Sequence, residues 1–163
     1  MSPALADLEM ILRQLVAEHE KLLAQLQRQL DAMRALDLAG MQAASRLQEA
    51  TRMRIASLES RRRLLAGRLA GSLRSTVPPT LAQLAEAHPQ RRAVLLALRQ
   101  DLTALIEQVR LRAAVAAKLA AGVLGYLNTV VRVLAGAVEQ SGTYTKQGIP
   151  RVTARIGAME AVG

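Results

Sequence analysis

The chain has 163 residues, of which 51% are hydrophobic, and carries 22 Lys/Arg against 13 Asp/Glu for a net charge of +9. That apolar content excludes a disordered chain, and the length suits one domain. Cysteine, Phe and Trp are absent, which excludes a disulfide framework and a thiolate zinc site, fits a reducing cytoplasm, and leaves Tyr126 and Tyr144 as the only aromatics.

A core without large rings suits helices packed along a seam, where Leu and Ala side chains interlock. The opening MSPALADLEM has two acids and no basic stretch, so it is not read as a secretory signal. The first segment then repeats at alternating spacings of three and four: Leu5, Leu8, Leu12, Leu15, His19, Leu22, Leu26, Gln29, Met33, Leu36. This is the period of a coiled-coil seam, and Ile11, Val16, Leu23 and Leu30 widen it toward a second neighbour. Pro3 stands at the start, where proline is tolerated.

The register slips at Asp37, whose carboxylate can cap a new helix, and Gly40 weakens the old one. A second stripe follows through Met41, Ala44, Leu47, Thr51, Ile55, Leu58, Leu65, Leu69 and Leu73. The two segments read equally as one bent helix or as a hairpin. Residues 1–40 have a net charge of −2 and residues 41–80 a net of +6. Pro78 and Pro79 stop the second segment.

Thr80 and Gln83 have the spacing of a capping box, which opens a short helix over TLAQLAEA. His88-Pro89 breaks it. From Gln90 onward the most regular pattern in the chain runs through Leu95, Leu98, Leu102, Leu105, Val109, Arg112, Ala116, Leu119, Val123, Tyr126, Val130, Val133 and Ala137. Only Arg112 is out of character. A helix over about 91–138 would be roughly 70 Å long at 1.5 Å per residue. The fold predicted is therefore all-α: an elongated antiparallel helical bundle or coiled-coil hairpin over residues 1–140, with one long C-terminal helix. Residues 141–163, rich in Gly and without a sustained period, are expected to be a flexible tail.

The residues offer no catalytic constellation. His19 has only Leu15, Val16, Leu22 and Leu23 one turn away, so no second ligand shares its face and it reads as a polar residue in a seam. His88 reads as part of a surface turn. No phosphate loop, paired-carboxylate spacing or nucleophile motif occurs, so neither a cofactor nor an enzymatic activity is expected. Arg52, Arg54, Arg61, Arg62 and Arg63 could contact phosphates, but the chain lacks aromatics for stacking on single strands, and a solvated face is the better reading. Lipid-surface binding is weakened in the same way, because neither Trp nor Phe stands on an apolar face. Between Lys118 and Arg132 lie only 13 uncharged residues, too few to cross a bilayer as a helix. The chain is read as soluble, with no integral membrane segment and no nucleic-acid partner.

The section 113–138 is more telling. Val123, Leu124, Tyr126, Leu127, Val130, Val131, Val133 and Leu134 cannot all face one neighbour, and the earlier segments are engaged by Leu95 to Leu119. Two readings stand level: self-association, as a homodimer or four-helix arrangement, or a surface kept for an apolar segment of another protein.

The order of these features resembles the FlgN family, the cytoplasmic export chaperones of flagellar hook–filament junction proteins. The stretches that carry the likeness are LEMILRQLVAEHEKLLAQL (8–26), ALDLAGM (35–41), SLESRRRLLAGRLA (57–70), TLAQLAEAHPQRRAVLLALRQDLTALIEQV (80–109) and GTYTKQG (142–148). Two places depart from the family's pattern: LRAAVAAKLAAG stands where Asn residues are usual, and Thr-Lys-Gln follows Tyr144. The resemblance implies a chaperone that binds the C-terminal helical segment of hook-associated junction proteins and delivers it to the type III export apparatus. It implies a cargo surface on Leu119, Val123, Tyr126, Leu127, Val130, Val131 and Leu134. It also implies a contact of Tyr144 with an export gate component. The alternative is a structural coiled coil that only self-associates.

Overall fold

The computed structural model describes residues 3–72 and 77–140, with side chains except at 72 and 137–140. Among these residues every element is helical: α1 (Pro3–Arg34), α2 (Leu38–Ser72), α3 (Leu81–Ala87), a 3-10 turn (Pro89–Arg91) and α4 (Arg92–Gln140). The chain divides into two compact units, Met1–Ala120 and Ala121–Gly163. Leu73, at the end of the second predicted stripe, lies outside the described residues.

In the first unit α1 and α2 form a hairpin, which settles the choice the sequence leaves open. At the turn, Leu36 N–H donates to the Met33 carbonyl (3.2 Å) and Asp37 N–H to that of Ala32 (2.8 Å), so the last turn of α1 is closed from outside. This closure needs a left-handed residue, and Leu36 supplies it with φ 54°. Asp37 then caps α2 as expected, its Oδ1 accepting from Gly40 N–H at 3.0 Å. Gly40 leaves room for this cap, because a Cβ would lie 2.3 Å from Asp37 Oδ2 and 3.2 Å from the Ala32 Cβ.

Cross-links along the hairpin fix its direction. Gln25 Nε2 donates to Thr51 Oγ1 (3.0 Å), Gln48 Nε2 to Gln29 Oε1 (2.9 Å), and Arg54 Nε to Glu18 Oε2 (3.0 Å). Residue numbers rise on one helix as they fall on the other, so α1 and α2 are antiparallel. The second stripe is corrected at one position: Gln48 is buried and Leu47 is exposed. Gln48 bonds both the Gln29 amide and the Gln25 carbonyl, and Thr51 is likewise fully buried. A buried polar group with its partners supplied is tolerated, and this ladder pins the register of the pair.

Thr80 opens α3 with the capping box the sequence predicts. Gln83 N–H donates to Thr80 Oγ1 (3.3 Å), and Thr80 N–H donates to Gln83 Oε1 (2.8 Å). The chain then turns through His88 and the 3-10 segment into α4. Arg91 Nε lies 3.1 Å from Glu9 Oε1 of α1, which is 2% exposed. Further along, Arg112 Nη1 donates to Gln27 Oε1. Pairs 9/91 and 27/112 rise together, so α4 runs parallel to α1 and antiparallel to α2. Arg112, out of character in its stripe, thus makes a polar cross-link to α1.

Leu5, Leu8, Ile11, Leu12 and Leu15 of α1, Leu69 of α2, Leu84 and Ala85 of α3, and Leu95, Leu98 and Leu102 of α4 form one core. Each fully buried Leu or Ile contributes about 1.5–3 kcal/mol relative to exposure. Toward the hairpin turn the packing thins. Ala113, Ala116, Ala117 and Ala120 of α4 face Leu26, Met33 and Gln48 across a hollow of about 240 Å³.

Candidate functional site

α4 is buried on one side at Leu95, Leu98, Leu102 and Ala116. Within the first unit, the last α4 residues that face the hairpin are Ala113, Ala116, Ala117 and Ala120. Considered by itself, the second unit contains one described element, the helix from Ala121 to Gln140. Its large side chains face solvent: Leu127 is 51% exposed and Tyr126 68%, with Leu124, Val131, Val133 and Leu134 between these values.

Of the predicted cargo residues, Tyr126, Leu127, Val131 and Leu134 are exposed, while Leu119, Val123 and Val130 are half-buried. At about 100° per residue they share one side of the helix with Leu124 and Val133, an arc of about 180°. The other side carries Gly122, Gly125, Asn128, Thr129, Arg132 and Gly136. The helix thus has a broad face of large aliphatic residues and an opposite face of small and polar ones. Leu124 and Val133, named in the apolar section but absent from the predicted cargo set, belong to the same face and are exposed on it. Tyr144 and the tail 141–163 lie outside the described residues.

The face carries no opposing charge. Between Glu107 and Glu139 there is no Asp or Glu, whereas Arg110, Arg112, Lys118 and Arg132 fall in that interval. Arg110 Nη2 is paired with Glu107 at 2.6 Å, which lowers the Glu107 pKa and raises that of Arg110. The stretch also meets the length and composition of a membrane span. An 18-residue window within Pro89–Gly136 has mean hydropathy 1.5 and is 6% buried. The count of 13 uncharged residues misses this because it stops at the first charge on either side.

The remaining candidate residues sit elsewhere. His19 is in the hairpin seam, its Nδ1 2.8 Å from the Leu15 carbonyl. Glu18, beside it, is held below the ordinary carboxylate value by its bond to Lys21 (2.6 Å), with burial opposing and Arg54 assisting. Of the arginine cluster, Arg54 is tied to Glu18 and Arg62 to Glu59, while Arg52, Arg61 and Arg63 are exposed. Among the described residues no group of three or more His, Asp or Glu could hold a metal ion.

A family model described as FlgN protein matches residues 1–151. Comparison with curated proteins and with solved structures returned no match.

Proposed function

The chain belongs to the FlgN family of flagellar export chaperones, and from that premise we propose that it is a cytoplasmic chaperone of hook-associated junction proteins. It binds their C-terminal helical segment, prevents early association and delivers the segment to the type III export apparatus. The observation that supports this reading is the aliphatic face of α4 beyond Ala120, where Leu124, Leu127, Val131, Val133 and Leu134 are all exposed on one side of one helix. Burying such a face against an amphipathic segment is helix recognition by periodic apolar anchors. The chain would act by holding and releasing its partner, without a cofactor. The tail 141–163 is assigned the contact with the export gate, with Tyr144 as its anchor, because a Tyr ring buries much area while its hydroxyl keeps a polar partner.

Two variants test the reading. Val123→Glu with Val130→Glu should abolish binding of a full-length junction protein in a titration and leave helicity nearly intact. Retained binding, or loss of helicity, would refute the cargo surface. Tyr144→Ala should keep cargo binding and weaken binding to the gate; unaltered gate affinity would leave the tail as a linker.

A further inference from the structure

The apolar face of α4 consists of two seams, each regular. One runs through Val123, Tyr126, Val130 and Val133, and the other through Leu124, Leu127, Val131 and Leu134. Each alternates steps of three and four, and the second is the first displaced by one residue. A single helix packed in register covers one such seam, because its side chains enter holes formed by one narrow stripe. Two adjacent seams on one helix present two such docking lines, side by side. A lipid surface places no demand on register.

Charge limits the choice of occupant. A second copy of α4 would bring another helix with four basic residues and no acid between Glu107 and Glu139. The chain's own residues 141–163 carry Lys146, Arg151 and Arg155 against Glu160. Both are basic, like the surface they would cover. Like charges brought together oppose docking, and opposite potentials guide it.

We propose that the face of α4 between Val123 and Leu134 takes two helices of one partner protein at once, each with an aliphatic seam and acidic flanks. This rests on the reading of that face as the cargo site and adds the partner's shape and charge to it. One helix lies along Val123, Tyr126, Val130 and Val133, and the other along Leu124, Leu127, Val131 and Leu134. The pair completes a three-helix arrangement of which α4 is the central member.

The test uses the full chain and a full-length junction protein. Tyr126→Glu with Val133→Glu disables the first seam, and Leu127→Glu with Leu134→Glu disables the second. All four positions are exposed, and circular dichroism of each variant verifies the helix. Each double variant is expected to weaken binding by about tenfold or more, equivalent to at least 1.4 kcal/mol. Loss in one variant with full binding in the other overturns the two-helix inference and leaves the cargo site in place. Full binding in both removes the cargo site as well. Affinity of the unaltered chain should fall between about 0.05 and 0.5 M salt, as screening weakens the acidic partner's attraction; a flat salt response overturns the acidic flanks. Sedimentation with phosphatidylglycerol vesicles should leave the chain in solution. Co-sedimentation that both double variants abolish would replace the protein partner by a lipid surface.

Discussion

At Leu36 the chain holds a branched aliphatic residue in a left-handed conformation, with the side chain in solvent. An L-residue there costs roughly 1–2 kcal/mol, and glycine has no such penalty. Leu36→Gly is expected to stabilise the first unit by about 0.5–1 kcal/mol in denaturant unfolding, after the entropy that glycine adds to the unfolded chain. Gly40→Ala should act oppositely. Its Cβ displaces the Asp37 carboxylate from the cap, at a cost of about 1 kcal/mol. Glu18 gives a pH dependence. Its pKa is depressed in the fold, so the stability it contributes is complete above its unfolded value near 4.5 and is lost as pH falls through the lower folded value. Glu18→Gln should flatten that acid limb of a stability–pH profile below pH 4.5. The caps were legible in the sequence, since Asp37, Thr80 and Gln83 act within one turn of themselves. The burial of Gln48 in place of Leu47 was not, because it depends on Gln25 and Gln29 across the hairpin, and no local pattern records that partnership.

At the scale of the element, periodicity identified each helix but not its neighbours. The stripe of α4 is continuous from Leu95 to Val133, yet Leu95, Leu98 and Leu102 are core while Tyr126 and Val133 are exposed. The sequence carries no mark at Ala120, where the first compact unit ends, because the three-and-four spacing of apolar residues is the same on both sides of it. Substitution distinguishes the two parts. Leu12→Ala removes a fully buried side chain of the core shared by all four helices, and should cost about 3 kcal/mol with its cavity. Leu127→Ala should change the stability of the free chain by less than about 0.5 kcal/mol, as surface substitutions do. Comparable losses for the two would mean that the far half of α4 is packed in the free protein. The hairpin or bent-helix ambiguity had a similar origin: Asp37 and Gly40 indicated a break, while the Leu36 backbone that reverses the chain has no signature in a leucine.

For the whole molecule, the division of labour follows from where apolar area is spent. The first unit uses its Leu and Ile side chains on a core and fixes the hairpin register with a buried Gln–Thr ladder. The second keeps a comparable set of Leu and Val on the surface of one helix. Such a surface is a liability in a free protein and an asset in one that holds another chain. Hydrogen–deuterium exchange on the full chain, alone and with a full-length junction protein, measures this most directly. Fast exchange is expected over 121–136 in the free chain, with strong protection there on binding and little change over 5–34. Protection confined to the α1/α2 hairpin, with 121–136 exchanging as fast as before, would contradict it.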